Sequence, residues 1–285
     1  MQWLHATGAL PLDRPRILGI VNVTPDSFSD GGRLRSVDDA RWLIDRLIHE
    51  GADIIDIGGE STRPQGATPV DADEERRRVV PVVEAALADH PQTLISVDTV
   101  KAAVARDALA VGASIVNDVS GFRLDPNMAA TCASARAGVV LMHSRGGVSD
   151  MATFAHAEYG DDAVGEIVRE VEERVACAER AGIERARIVV DPGLGFSKRP
   201  DVSVAVLAQL ARFAALGLAL LVGVSRKRFI GEIIGATDSA DRVSGTVGAN
   251  VAALDRGAIL FRVHDVKPAR DALDVAWAIL QSERT

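Results

Sequence analysis

Short apolar runs recur along the chain, and eight of them end beside a polar side chain that could do chemistry. The residues at these ends are Asn22, Asp56, Asp98, Asn117, His143, Asp191, Ser225 and His264. A parallel strand that is buried on both faces is a continuous run of Val, Ile, Leu and Ala, and a polar residue at its carboxyl end has left the packed interior. Eight such strands predict a (β/α)₈ TIM barrel, in which functional sites lie at the carboxyl ends of the strands.

Amphipathic segments lie between the apolar runs. Ala40, Ile44 and Leu47 recur at helical spacing, and Gly51 stands where that helix would end. We predict strands at residues 17–21, 54–57, 94–97, 115–116, 139–142, 188–190, 220–224 and 259–263. We predict helices at residues 37–50, 73–88, 100–110, 126–137, 162–181, 202–216, 239–256 and 268–281. The alternation predicts one barrel domain, residues 17–285, behind a short N-terminal extension, residues 1–16, that could form a hairpin.

An open, doubly wound sheet is the competing fold. That fold would gather its ligand residues at one switch point, whereas candidate residues in this chain follow nearly every predicted strand. The length of 285 residues and the hydrophobic content of 47% also fit a single barrel. The barrel is therefore favoured.

The charge balance excludes some classes of partner. A net charge of −8 argues against a general affinity for nucleic acid or anionic membranes, because both need a basic surface. Cys132 and Cys177 have no paired spacing and are expected to be packing residues in a reducing compartment. The N-terminal segment lacks a signal pattern, and no apolar run approaches a membrane span. We expect a soluble cytoplasmic protein.

Two loops follow the first two predicted strands. Residues 22–32 contain carboxylates and an aromatic side chain and could close over a site as a lid. The alternative is a solvated turn whose polar side chains cap the backbone. Residues 58–70 contain glycines and Arg63, whose planar guanidinium suits phosphate oxygens. Taken alone, Arg63 would more often be a surface residue.

Asp98, Asn117, Asp191 and Lys227 come from four different strands or their ends. Two carboxylates and an amide offer the acceptors and donors that recognise a flat nitrogen heterocycle with an amino group, a ring N–H and a carbonyl. The alternative is that each residue only caps the helix that follows it. Because all four lie at strand ends, we predict a pocket that binds such a ring.

Positive charge gathers at the last two predicted strands. Arg262 and His264 lie on the same side of an extended strand, and Lys227 lies in the motif at residues 223–231. Barrels often bind phosphate with the loops after strands seven and eight, so these residues and Arg63 predict a phosphate site. The alternative is a solvated basic face.

Metal-binding motifs are sparse. The chain contains no HExxH motif and no cysteine cluster, which argues against a tightly bound transition metal. Magnesium that arrives with a phosphorylated substrate could still contact one or two protein oxygens, such as that of Asn22. His143 could be a ligand residue, or a rim histidine that bonds only its neighbours.

The chain resembles the dihydropteroate synthase family over about residues 17–280. The motifs that carry the resemblance, in the family's order, are ILGIVNVTPDSFSDGG, DIIDIGGESTRP, SVDT, GASIVNDVSG, VVLMHSRG, DPGLGFSK, GVSRKRFIG and RVHDV. The resemblance implies a (β/α)₈ barrel that joins 7,8-dihydropterin-6-ylmethyl diphosphate to 4-aminobenzoate, which forms 7,8-dihydropteroate and releases pyrophosphate in folate synthesis. It also implies Mg²⁺ as a cofactor, a homodimer and a sulfonamide target.

The resemblance assigns roles to individual residues. It assigns the pterin ring to Asp98, Asn117, Met142, Asp191, Phe196, Gly223 and Lys227. It assigns the diphosphate to Asn22, Arg63, Arg262 and His264, with Asn22 as the magnesium ligand. It assigns 4-aminobenzoate to Phe28, Thr62, Pro64 and Ser225. The residues expected to carry the reaction are Asn22, Asp30, Arg63, Asp98, Lys227, Arg262 and His264.

The expected reaction begins with the leaving group. An aromatic amine is a weak neutral nucleophile, so catalysis is better directed at expelling the diphosphate, which is an SN1-like route. Cations would neutralise the departing diphosphate, while Asp98 and Asp30 would stabilise the pterin methylene cation. Closure of the first two loops would exclude water.

The chain differs from the family pattern at one position, and two other functions are compatible with the same motifs. The chain reads STRPQGA where the family commonly reads STRPGA, and the extra Gln65 could reshape the aminobenzoate slot and the response to sulfonamides. A methyltransferase that uses methyltetrahydrofolate with a corrinoid protein shares the barrel and the pterin-binding carboxylates. A non-catalytic pterin-binding homologue is the rival from another class.

Overall fold

The computed structural model describes residues 1–23, 36–61 and 70–283. Six residues named from the sequence lie outside these ranges, and so does most of the predicted lid loop. These residues are Phe28, Asp30, Thr62, Arg63, Pro64 and Gln65.

The described chain forms a hairpin followed by a closed barrel of eight parallel strands. Strands β1 (Gln2–His5) and β2 (Gly8–Pro11) pair antiparallel. The barrel strands are β3 (Arg16–Asn22), β4 (Ile54–Gly58), β5 (Leu94–Asp98), β6 (Ile115–Asp118), β7 (Gly138–Met142), β8 (Ile188–Asp191), β9 (Ala219–Val222) and β10 (Leu260–Val263). They follow one another around the barrel in chain order, and β10 closes it against β3. The predicted (β/α)₈ barrel is confirmed.

Helices connect the strands on the outside of the barrel. They are α1 (Val37–His49), α2 (Ala72–Asp89), α3 (Ala102–Ala110), α4 (Met128–Ser134), α5 (Ala163–Arg180), α6 (Pro200–Ala208), α7 (Ala211–Ala214), α8 (Arg228–Ile234), α9 (Val243–Asp255) and α10 (Val266–Ser282). Most begin and end within a few residues of the predicted bounds. In the described part of the chain, no helix is long and apolar enough to cross a membrane.

Two of the predictions are wrong, and one helix has no predicted counterpart. The single helix expected at residues 202–216 is two helices, because the chain turns at Gln209 and buries Leu210 and Phe213 in the core. Helix α8 was not predicted, since residues 223–231 were interpreted as a loop motif. Cys177 is exposed on α5 rather than packed, whereas Cys132 is buried.

Side chains alternate between two layers along each barrel strand, as the two-residue period requires. Outward-facing residues such as Ile55, Leu141 and Phe261 belong to the large core between strands and helices. The inward-facing apolar residues that form a separate cluster include Leu18, Ile54, Ile115, Val140, Val189, Leu221 and Leu260. Two positions further along six of these strands, on the same inward face, lie Asp56, Asn117, Met142, Asp191, Gly223 and Arg262. Strand alternation therefore brings the candidate residues to the opening of the barrel at the carboxyl ends of its strands, which we call the mouth.

The hairpin covers the opposite end of the barrel. Trp3 is only 1% exposed and belongs to the inward-facing apolar cluster. Its indole Nε1 donates to the carbonyl oxygen of Arg187 at 2.9 Å. The amino end of the barrel is thus filled by side chains, and the carboxyl end is left for the polar residues.

Candidate active site at the carboxyl rim

A polar network links four strands at the mouth of the barrel. Arg262 donates through Nε to Asp56 Oδ2 at 2.6 Å and through Nη2 to Asp98 Oδ2 at 2.7 Å. Asn117 Nδ2 donates to the same Asp56 oxygen at 3.1 Å. Closure of the barrel brings these residues together, because Arg262 and Asp56 are 206 positions apart in the sequence.

Burial controls the charge states in this network. Burial raises the pKa of Asp98 to about 7, since the opposing effect of Arg262 is smaller and the carboxylates of Asp56, Glu75 and Asp118 add to the increase. Burial alone would lower the pKa of Arg262, but the carboxylates of Asp56 and Asp98 raise it above its ordinary value. The network therefore keeps Arg262 charged and leaves Asp98 partly protonated near pH 7.

Asp191 and Lys227 form the other polar edge of the mouth. Gly193 N donates to Asp191 Oδ1 at 2.7 Å, which orients the carboxylate. Gly193 has a φ of 67°, and a Cβ there would lie 1.9 Å from the carbonyl oxygen of His143, so only glycine fits this turn. Burial lowers the pKa of Lys227 to about 7, against the effect of Asp191.

Apolar side chains wall the space between these polar edges. Met142 packs with Val100, Val119 and Met151, and Phe196 packs against the same cluster. The Nζ atom of Lys227 lies 3.8 Å from the centroid of the Phe196 ring. A Cβ added at Gly223 would lie 3.6 Å from Asp191 Oδ2, so this glycine leaves room beside the carboxylate. An apolar wall with polar groups at its edge suits a flat heterocycle.

The loops after β9 and β10 contact each other through two pairs of residues. Ser225 Oγ accepts a hydrogen bond from the backbone N–H of His264 at 3.1 Å and lies 2.9 Å from its Nδ1. Arg226 donates to both carboxylate oxygens of Asp265, at 2.9 and 2.6 Å. Ser225, predicted for aminobenzoate, therefore lies directly against His264, predicted for diphosphate.

Asn22 is the last residue of β3, and its Cα pairs with that of Gly58 on β4. It therefore lies at the same rim as Asp98, whose Cα also pairs with Gly58. Among the residues that the structure describes, no group of three His, Cys, Asp or Glu side chains could hold a metal ion.

Sequence reasoning missed two residues of this region. Asp56 was noted only as a polar strand end, yet it accepts hydrogen bonds from both Asn117 and Arg262. Its alternation with Ile55 and Ile57, which face outward, was the available signal, because it places the carboxylate inside the barrel. Lys198 was part of a quoted motif without a role, but its buried ammonium group contacts His143. No sequence signal indicated that contact.

The fold and this mouth are those of a TIM-barrel enzyme. The model of the family described as pterin binding enzyme matches residues 18–264. Dihydropteroate synthase of Escherichia coli strain K12 is 43% identical over 281 residues, which is 98% of this chain and 97% of that protein.

Solved structures agree with the sequence relatives. Xanthomonas albilineans dihydropteroate synthase with 4-aminobenzoic acid has a TM-score of 0.87 and 48% identity, covering 96% of this chain and 95% of that one. The Yersinia pestis enzyme with a sulfonamide drug has a TM-score of 0.91 and 40% identity, covering 99% of this chain and 100% of that one. The chain belongs to the pterin-binding enzyme family, among the dihydropteroate synthases, which are transferases.

Proposed function

We propose that the protein condenses 7,8-dihydropterin-6-ylmethyl diphosphate with 4-aminobenzoate in folate biosynthesis, forming 7,8-dihydropteroate and releasing pyrophosphate. The convergence of Asp98, Asn117, Asp191, Lys227 and Arg262 at one mouth carries the proposal. The Xanthomonas albilineans relative solved with 7,8-dihydropteroate supports it, at 45% identity over 96% of this chain and 96% of that one.

The pterin ring is proposed to bind between the polar edges and the apolar walls of the mouth. Asp191 and Asn117 would pair with its amino group and ring N–H and carbonyl, because carboxylate and amide groups offer the matching acceptors and donors. Met142 and Phe196 would cover its faces, and Gly223 would let the ring approach the Asp191 carboxylate. Lys227 would donate to the ring from the opposite edge.

The diphosphate is assigned to the cationic side of the mouth. Arg262 and His264, with Arg63, would bind its oxygens and neutralise the charge that grows as it leaves. Magnesium is proposed to bind on this side of the mouth, where Asn22 at the end of β3 would contribute its amide oxygen and the diphosphate would supply further oxygen ligands. When bound, Mg²⁺ would supply neutralising charge to the phosphate oxygens.

The proposed reaction is dissociative. The bond between the pterin methylene carbon and the bridging diphosphate oxygen breaks, and its electron pair leaves with the diphosphate. Asp98, which lies against Arg262, and Asp30 would stabilise the methylene cation. The aminobenzoate nitrogen then bonds to the methylene carbon and loses a proton.

The aminobenzoate slot is assigned to Ser225 together with Phe28, Thr62 and Pro64. Closure of their loops over the pterin would complete the slot and exclude water, which competes with the amine as nucleophile. Sulfonamides are proposed to bind in the same slot. The Yersinia pestis relative was solved with a sulfonamide drug, which supports sulfonamide binding by this chain.

Pyrophosphate release by the purified protein tests the proposed function. With pterin diphosphate and 4-aminobenzoate, the synthase should turn over, whereas a corrinoid-dependent methyltransferase or a non-catalytic pterin binder should not. Lys227→Ala and Arg262→Ala should each lower turnover by at least about 100-fold, because each removes a charge proposed to touch substrate. Circular dichroism checks that both variants stay folded.

Positional isotope exchange tests the dissociative route. The bridging oxygen of the pterin diphosphate is labelled and the enzyme is incubated without aminobenzoate. A reversible break of the C–O bond would scramble the label into non-bridging positions of the same phosphate. Retention of the label during an incubation as long as many turnovers would contradict the SN1-like step.

A further inference from the structure

A buried cation lies beneath the proposed pterin pocket. The side chain of Lys198, at the end of the loop after β8, is almost completely buried. Its Nζ donates to the carbonyl oxygens of Gly193 and Phe196, each at 3.0 Å, and lies 2.8 Å from Nδ1 of His143. These three acceptors match the three hydrogens of an ammonium group.

His143 is held between this cation and a carboxylate. Its Nε2 lies 3.0 Å from Oε2 of Glu170 on α5, and Arg145 contacts the same carboxylate. Burial would raise the pKa of Glu170, but hydrogen bonds from His143 and Arg145 lower it, so the carboxylate is ionised. Nε2 therefore carries the ring hydrogen, and Nδ1 accepts from Lys198.

The loop that Lys198 holds shapes two sides of the pocket. The backbone N–H of Gly193 orients the Asp191 carboxylate, and the Phe196 ring lies over the Lys227 ammonium group. Lys198 bonds the carbonyl oxygens of these same two loop residues. A shift of the loop would move the carboxylate and the aromatic wall together.

We propose that Lys198 is a positioning residue for pterin recognition: it fixes the loop at residues 193–198 so that Asp191 and Phe196 face the ring, and His143 orients its ammonium group. The inference rests on the proposed function, because the ring it serves is the pterin of the substrate. Methionine has a similar length but no donors, so in its place the two carbonyl oxygens would lose their buried partner.

The charge of Lys198 gives a second, electrostatic signature. The cations that face Asp191 are Lys198 from its own loop, Lys227 from the loop after β9 and Arg262 from β10. Burial raises the pKa of Asp191, and these cations oppose that increase. Loss of the Lys198 charge would raise the pKa of Asp191 further, so pterin binding would weaken at a higher pH than in the wild type.

The protonation state of Lys198 depends on the groups around it. Burial lowers its pKa well below the ordinary value, and Arg174 on α5 and Lys227 add to that effect. Asp191 and Glu170 oppose it. Nζ of Lys198 lies 2.8 Å from Nδ1 of His143 and 3.5 Å from the carbonyl oxygen of the same residue, so the imidazole is the closer acceptor for the third hydrogen of the ammonium group.

The test compares Lys198→Met with Arg187→Met in the full-length protein. Arg187 is also a buried cation that donates to backbone carbonyls, those of His5 and Arg136, but it lies at the opposite end of the barrel. We expect Lys198→Met to raise the KM for the pterin diphosphate and the Kd for 6-hydroxymethylpterin by at least about tenfold, while kcat changes less. The acidic limb of the Kd profile should move to higher pH. Arg187→Met should lower the unfolding temperature and leave both quantities unchanged.

A milder variant decides the question if Lys198→Met does not fold. His143→Leu removes the nearest acceptor of the ammonium group and leaves that hydrogen only the more distant carbonyl oxygen of residue 143, which favours the neutral amine, while two N–H groups still hold the loop. It should move the acidic limb in the same direction with a smaller change in KM. Wild-type KM and pH profiles in the folded variants, or equal changes in Arg187→Met, would overturn the proposal. Absence of turnover in the wild-type protein would instead refute the proposed function.

Discussion

Arg262 is the residue at which the polar network of the mouth converges. Its guanidinium pairs with Asp56 and Asp98 at the same time, which a lysine could not do in the same planar geometry. Both carboxylates are withdrawn from solvent, so neither would be tolerated without a cation or a proton. The mouth therefore gathers titratable groups whose pKa values are shifted by burial and by one another, which is common at functional sites.

Replacement of Asp98 with asparagine should reveal the free-energy cost of burying its carboxylate. The pKa of Asp98 is about 7 in the folded protein, whereas that of an unfolded aspartate is about 4. Folding therefore favours the protonated form, and the free energy of unfolding falls as pH rises from about 4 to about 7. The difference of about three units corresponds to at most about 4 kcal/mol, and asparagine also loses the ion pair with Arg262. We therefore expect Asp98→Asn to be more stable than the wild type at pH 8 by about 2 kcal/mol, with little difference at pH 4 and much lower turnover.

Urea unfolding at both pH values measures this difference. Asp271→Asn is the control, because that carboxylate is exposed and pairs only at the surface with Lys267. A wild-type protein that is the more stable of the two at pH 8 would show that the Asp98 carboxylate is favourable in the fold.

Asp56→Ala should damage both stability and recognition. The change removes the acceptor shared by Arg262 and Asn117 and leaves a buried cation with less compensation. We expect the free energy of unfolding to fall by about 3 kcal/mol and kcat/KM for the pterin diphosphate to fall at least about tenfold. Asp53→Ala is the matched control, since Asp53 pairs with Arg14 and Arg16 away from the mouth. Equal losses of kcat/KM in both variants would assign the effect to destabilisation alone.

Among the secondary-structure elements, those at the amino end of the barrel contribute to stability and those at the carboxyl end form the candidate site. The β1–β2 hairpin buries Trp3 against the inward-facing apolar layer, so the amino end contributes packing. The loops after the strands contribute polar groups at the other end. Changes at the hairpin should therefore alter stability without altering substrate affinity.

Trp3→Ala tests this separation. The side chain is 1% exposed and its indole donates a hydrogen bond, so we expect a loss of about 4 kcal/mol in the free energy of unfolding. Trp42→Ala is the control, because Trp42 is 63% exposed and should cost less than about 0.5 kcal/mol. Both variants should keep wild-type KM values in the pyrophosphate assay. A raised KM in Trp3→Ala would show that the two ends are coupled.

The barrel strands were predictable because each one is a short apolar run with a polar end. The boundaries of the helices were harder to predict. Most residues before and after Gln209 are apolar, and neither glycine nor proline stands there to mark the end of α6. The turn is explained by the burial of Leu210 and Phe213, which is visible only in the structure. Helix α8 has seven residues, about two turns, which is too short for a helical period to be recognised.

At the scale of the whole molecule, the predicted homodimer can be tested on α10. Val275 and Ile279 lie one helical turn apart and are 63% and 56% exposed. An exposed apolar pair of this kind fits a contact with a second copy. We expect light scattering to report twice the 30.1 kDa mass of one chain, and the Val275→Lys, Ile279→Lys double variant to be monomeric. Asp271→Asn on the same helix should stay dimeric, and a monomeric wild type would exclude the homodimer.

The amino-acid sequence predicts the barrel and the polar residues at its strand ends, but it gave no role to Asp56 in the mouth. Both follow from local patterns: apolar runs of strand length, polar residues at their ends, and an alternation that assigns each side chain to one face. The contacts among these residues became visible in the folded chain alone. The pairing of Arg262 with Asp56 spans 206 positions, and Lys198 meets His143 across 55. Such contacts depend on how the closed sheet sets the distance between strands, and no local pattern encodes that distance.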